Sequence, residues 1–303
     1  MTPLLELPGN VKGAISKAVA TSWGIADRIF VDAQIFGNDS ADSLMTGIAR
    51  AGVRIVPVTS LDKDTNFQRV IARVGKDAGF GTCFRLASSA LVEDGAVQRL
   101  EDLLNELSIT PEDVDFITDF GEVPRASIRE AVILAQSVVS VIPWLDRWKS
   151  LTIAWSAFPK SLSDLKRNSI KPFPRSEWQA WNALRKTAPS RIPSFGDYAI
   201  NHPRREDTEV KFRPAPNLRY TTPTDYLIFR GQKSAGSEQQ RTICQKLMEM
   251  SEFQGADFSA GDSFISKCAA GETGPGSPTT WRSVGTNHHL AVVTEQLSNL
   301  PAA

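Results

Sequence analysis

Short β-rich runs alternate with helical stretches along most of the chain, and this alternation limits the folds open to it. The runs lie at 2–7, 28–33, 53–59, 81–86, 114–120, 151–156 and 194–200. The intervening segments 11–23, 40–51, 64–78, 94–107 and 126–141 read as helices, the first with apolar residues near a 3.6 period, and two shorter helical pieces are expected at 162–167 and 176–186. Strands separated by helices of this length form βαβ units, whose right-handed crossovers give a parallel sheet. No G-x-G-x-x-G turn follows the first run, so a nucleotide-binding open sheet has lost its marker. The expected fold is therefore a (β/α) TIM-type barrel over residues 1–231, followed by a C-terminal helical extension, 232–303. The regular pattern stops near Asn201. Beyond it, 217–221 and 225–231 read as a hairpin, or the second of them as the eighth stave. A helix at 238–250 and a last helix at 290–297 complete the reading.

Parallel strands covered on both faces should be almost wholly apolar. Here several hold a charge: Glu6, Asp32, Arg85, Asp119, Asp197 and Arg230. Ionised groups are almost never fully buried unless paired, and in a (β/α) barrel the place that tolerates them is the C-terminal mouth. Asp32, Arg85, Asp119 and Asp197 come late in their runs, which makes them the catalytic candidates. Arg230, Tyr198 and His288 are the candidates for holding substrate. Carboxylates so gathered could hold Mg2+ or Mn2+ or move protons, and a guanidinium offers a planar fork for phosphate. The plain alternative is a set of ion pairs that fixes strand register.

Other signals are weaker. His288 and His289 are adjacent and so point in different directions, which argues against one shared metal; the expectation is one capping or core histidine and one exposed. The Gly/Pro/Ser run 274–280 lacks the Lys-Ser/Thr of a P-loop and reads as a surface loop. Trp178 and Trp181 are three apart and share a helix face. The three cysteines form no CxxC, and formal net charge is zero. The first excludes a zinc ribbon or disulfide framework, and the second gives no bulk-charge support for nucleic-acid binding. Basic residues at Arg204, Arg205 and 211–219 are interrupted by acids. No run is long and apolar enough to cross a bilayer, no signal peptide precedes the first strand, and a cytoplasmic location is expected.

The motifs Pro3-Leu4-Leu5-Glu6-Leu7, Phe30-Val31-Asp32, Val56-Pro57-Val58-Thr59, Phe195-Gly196-Asp197-Tyr198 and Arg219-Tyr220-Thr221 are similar to those of the so-called Beta-protein family of phages and bacteria. The tail motifs Gly276-Ser277-Pro278-Thr279-Thr280-Trp281 and Gly285-Thr286-Asn287-His288-His289-Leu290 resemble it most specifically. The resemblance implies a (β/α) barrel and a phage- or defence-associated role, and it implies no reaction. Family members usually open with a further strand bearing Lys and Glu, so an incomplete barrel is expected, with its gap filled by 226–230 or by another chain. Two functions follow as expectations. One is metal-assisted cleavage of a phosphate-containing substrate. The other is a non-catalytic module that binds a phage protein, another protein partner or a second copy of the chain.

Overall fold

The computed structural model describes the chain except residues 8–18, 20, 22–27, 34–35, 124–126, 188–189, 205–214, 233–237 and 301–303. Most of the helix expected at 11–23 lies outside the described residues, as does much of the basic stretch 204–219. All seven β-rich runs form strands. These are β1 (Leu4–Glu6), β2 (Arg28–Asp32), β3 (Arg54–Thr59), β4 (Thr82–Ala87), β5 (Val114–Glu122), β6 (Ser150–Ser156) and, near the end of the series, Ser194–Asp197. Between them lie α1 (Asn38–Arg50), α2 (Thr65–Ala78), α3 (Ala96–Leu107) and α4 (Ile128–Val141). The ends are set locally. The Asp64 carboxylate accepts from the Phe67 N–H to start α2, and Gly79, at φ 77°, closes it in the left-handed region that glycine tolerates.

The seven strands make one curled parallel sheet, a half-barrel, in the order in which they occur in the chain. Closure into a complete (β/α) barrel is not seen among the described residues. The 225–230 segment does not serve as an eighth stave. It forms a separate sheet, where β10 (Asp225–Arg230) pairs antiparallel with both β9 (Asn217–Thr221) and β7 (Ser169–Pro174), while the run Ser194–Asp197 is β8 of the large sheet. The hairpin reading of 217–231 thus holds. The short helix expected at 162–167 is absent, and β7 just after it carries Pro172 and Pro174. Proline lacks the N–H a central strand needs, and β7 is accordingly an edge.

Helix α5 (Ser176–Arg185) is close to its expected bounds, and α6 (Glu238–Met248) follows the small sheet. Helix α7 (Ala260–Ala270) was not legible in the pattern, and α8 (Pro278–Ser298) begins twelve residues before the expected start at 290. The supposed loop 274–280 therefore contains the first turn of α8. There the Ser277 hydroxyl accepts from the Thr280 N–H, and Pro278 takes the first helical position.

The described residues divide into two compact units. The first comprises residues 1–120, 132–154 and 184–196. Its half-barrel packs α1 and α2 on one side of the outer face through Met45, Ile48, Phe67 and Ile71. Leu100, Leu104, Val138 and Trp148 cover the other side. The inner face is layered. Leu4, Phe30, Val56, Val58, Cys83 and Ile117 form an apolar middle. Below it, at the strand N-termini, Arg28 holds the fully buried Asp115 through two hydrogen bonds of 2.8 and 3.1 Å.

The second unit comprises 121–131, 155–183 and 197–303. In it, Leu218, Tyr220, Leu227 and Phe229 of the small sheet pack on Ile243, Leu247, Ile265, Cys268, Trp281 and Val284 of α6, α7 and α8. Helix α8 runs beside the edge strand β9. A β-carbon at Gly285 would lie 2.8 Å from the Arg219 carbonyl oxygen, so only glycine allows this approach, and His288 Nε2 lies 2.7 Å from the Thr221 carbonyl. The edge is thereby covered and part of its backbone satisfied.

Candidate functional site

Strand register gathers charge at the C-terminal rim of the half-barrel. Glu6 and Asp32 end β1 and β2 side by side, and Arg85 lies opposite Ile117, two residues before Asp119 on β5. Since strand side chains alternate in direction, Arg85, Ile117 and Asp119 share the inner face. The Arg85 guanidinium collects the three acids. Its Nη1 donates to Glu6 Oε1 at 2.5 Å and to Asp32 Oδ2 at 3.0 Å. Its Nε and Nη2 donate to Asp119 Oδ2 at 2.9 and 2.6 Å. Arg85, Asp32 and Asp119 are only 10–15% exposed, whereas the Glu6 side chain is 48% exposed. One guanidinium thus meets three carboxylates at a rim where the Glu6 side chain is reached by solvent.

Asp32, Asp119 and Arg85 are therefore brought together as the pattern implied. Glu6 is a fourth member, legible by the same signal of an acid inside a β run. Their oxygens converge on a guanidinium rather than on an open point. Among the described residues no three His, Cys, Asp or Glu side chains are arranged to hold a metal ion. With the Arg85 guanidinium at the point where a Mg2+ or Mn2+ ion would sit, the rim acids as arranged do not fit such a centre.

Asp197 belongs to the second unit and has different company. Its Oδ2 accepts from His289 Nε2 at 2.9 Å, and its Oδ1 accepts from the Ala199 N–H at 2.9 Å. Burial works against this carboxylate, but the charge and hydrogen bond of His289 outweigh it and hold Asp197 below the ordinary range. His289 Nδ1 lies 3.0 Å from the Thr221 hydroxyl. Near this line Glu177 is fully buried, accepting from Tyr226 Oη at 2.8 Å and from the Ala157 N–H at 3.2 Å. Burial raises the Glu177 carboxyl to about 7, with the Asp197 charge adding to the effect and Arg175 opposing it. Arg175, also fully buried, has its Nε 3.5 Å from Glu177 Oε1 and donates from Nη1 to Gln296 at 2.6 Å, while its Nη2 has no hydrogen-bond partner among the described residues. Arg175 and Glu177 were missed in the sequence because they flank the start of α5, where charge is ordinary.

The remaining candidates scatter. His288 is not exposed, and neither is His289: both are fully buried. The expected split into one buried and one exposed histidine fails because successive positions of α8 meet β9 and the turn after β8 respectively. His288 Nδ1 lies 2.8 Å from Asp262 Oδ2, and its ring stacks on Tyr220 at 3.8 Å. Its two ring nitrogens face a carboxylate and a carbonyl, both acceptors. Tyr220 and Ser259 donate to the same Asp262. The group is closed on itself and offers nothing to a ligand. Arg230 ends β10 opposite Ser169 and Asn217 and makes no ion pair among the described residues. Tyr198 sits half-buried in the turn after β8, where its carbonyl accepts from the Asn201 N–H.

Fold and rim together define an α/β protein with a curled parallel sheet and an acid-ringed arginine at the strand C-termini. The family model described as Beta protein matches residues 1–295, nearly the whole chain, and the chain belongs to that family. Comparison with curated proteins returns no match. Among the described residues no helix is long and apolar enough to cross a membrane.

Proposed function

We propose that this protein is a binding module whose half-barrel rim, read as the mouth of an incomplete (β/α) barrel, takes a cationic side chain of a partner protein. The observation that carries the reading is the set of Glu6, Asp32 and Asp119 around Arg85. The guanidinium's donors are turned to these acids, so a phosphate ligand would meet carboxylates in place of free N–H groups. An incoming lysine or arginine would meet three carboxylates on one rim, with the half-exposed Glu6 outermost. The cleavage reading has less support, because the rim acids surround a cation already in place.

Peptide binding tests this. A lysine-rich peptide should bind the wild-type protein with an affinity that falls as salt rises, and a glutamate-rich peptide should not bind. Glu6→Gln removes the outermost charge with little change in packing and should weaken the lysine-rich peptide roughly three- to tenfold. Equal affinity for both peptides, or no effect of Glu6→Gln, would overturn the reading.

A further inference from the structure

Within the second unit, Arg219 stands on β9 with its side chain on the face that Ile228 shares by register. Its guanidinium lies over the Phe158 ring, 4.9 Å from the centroid, and Nη1 donates to the Ile200 carbonyl at 2.6 Å. These two contacts fix the plane of the group, while Nε and Nη2 have no acceptor among the described residues and are not sealed from solvent. Gly285 of α8 lies directly against the Arg219 backbone. Arg282 is three residues earlier on the same helix, hence on the same face, and it is exposed. Neither arginine pairs with a carboxylate among the described residues. The strain of this arrangement is visible in Arg219 itself. Burial, and then the Arg282 charge beside it, push its guanidinium down to about 10.

We infer that Arg219 and Arg282 form a binding site for a phosphate group, held between one guanidinium fixed in place and one free to close over it. Two like charges set side by side repel, and a charge partly withdrawn from water without a counter-ion is costly. A doubly charged oxyanion relieves both terms at once. Guanidinium forks suit its geometry because each can present two parallel N–H groups to two oxygens. The site is separate in composition from the acid-ringed Arg85 and does not depend on what that rim binds.

Thermal unfolding in inorganic phosphate, in adenosine monophosphate and in sodium chloride of matched ionic strength tests the site. Phosphate at about 10 mM should raise the wild-type midpoint by about 3 °C over chloride. A similar rise with the nucleotide would place a phosphomonoester there, and a rise with inorganic phosphate alone would restrict the site to the free ion. Phosphate also stabilises proteins without specific binding, so the variants decide. Arg282→Gln, at an exposed position, should abolish the extra rise while leaving the chloride midpoint nearly unchanged. Arg282→Glu supplies a built-in anion to Arg219. It should unfold at or above the wild-type midpoint in chloride and show no extra rise in phosphate. Persistence of the phosphate effect in both variants, or its absence from the wild type, overturns the assignment.

Discussion

Glu177 is fully buried, and its carboxyl, raised to about 7 by burial first and the Asp197 charge beside it, has an ordinary value of 4.5. In the window between these values the folded protein holds a proton that the unfolded chain has released. Stability therefore falls as pH rises through the window, and it levels off above it. Glu177→Gln cannot titrate, and its amide oxygen can still accept from Tyr226. Measured by denaturant unfolding, the variant should gain about 2.5 kcal/mol on the wild type between about pH 5 and about pH 8. A difference that stays constant over that range would mean that Glu177 is ionised throughout. Asp197 acts in the opposite sense, since its lowered value contributes stability that is lost only in more acid solution. At this scale the sequence was informative where a charge interrupted an apolar strand, as at Asp32, Arg85 and Asp119. Asp115 bears the same mark within 114–120, yet it serves the N-terminal side of the sheet, pairing with Arg28. One residue of offset along the strand sends a side chain to the opposite face, and two residues move it to another layer, so composition alone does not separate rim from base.

At the level of elements, β-rich runs were easy to read because the half-barrel strands are buried on both faces and need continuous Val, Ile and Phe. The second unit was harder. Strand β7 contains two prolines, α7 is rich in small and polar residues, and the start of α8 is hidden in a Gly/Pro/Ser run. These elements are specified by what they pack against. Gly285 shows how. An alanine there should favour the helix by up to about 1 kcal/mol on propensity. Its β-carbon would instead lie 2.8 Å from the Arg219 oxygen and 2.8 Å from Ile200 Cδ1, forcing α8 away from β9. Gly285→Ala should therefore lower stability by about 1–3 kcal/mol, the usual penalty of overpacking. Gly274→Ala serves as the control, since nothing lies within 4 Å of the added carbon, and it should be near neutral. If both variants unfold at the wild-type denaturant midpoint, the close approach of α8 to β9 is not what stabilises that edge.

For the whole molecule, the alternation of strand and helix marked all seven strands of the curled parallel sheet, but the (β/α) TIM-type barrel expected from it is not closed among the described residues. The 225–230 segment is as apolar as any barrel strand; its direction is set by the tight turn at Thr222–Thr224, which returns it antiparallel to β9. A division at residue 231 remains a sharp test of how the chain is partitioned. Leu218, Tyr220, Leu227 and Phe229 lie before that point, and Ile243, Leu247, Ile265, Trp281 and Val284, which bury them, lie after it. A truncated chain ending at Gly231 would present the small sheet's apolar face to water, and such a face is prone to association. The expected result is a fragment that binds a hydrophobic dye strongly, elutes as an aggregate and loses cooperative unfolding, whereas the full chain unfolds with a clear transition. A monomeric 1–231 fragment with a sharp transition of its own would show instead that the sheet can be covered without the C-terminal helices, and that α6, α7 and α8 are an addition rather than half of a core.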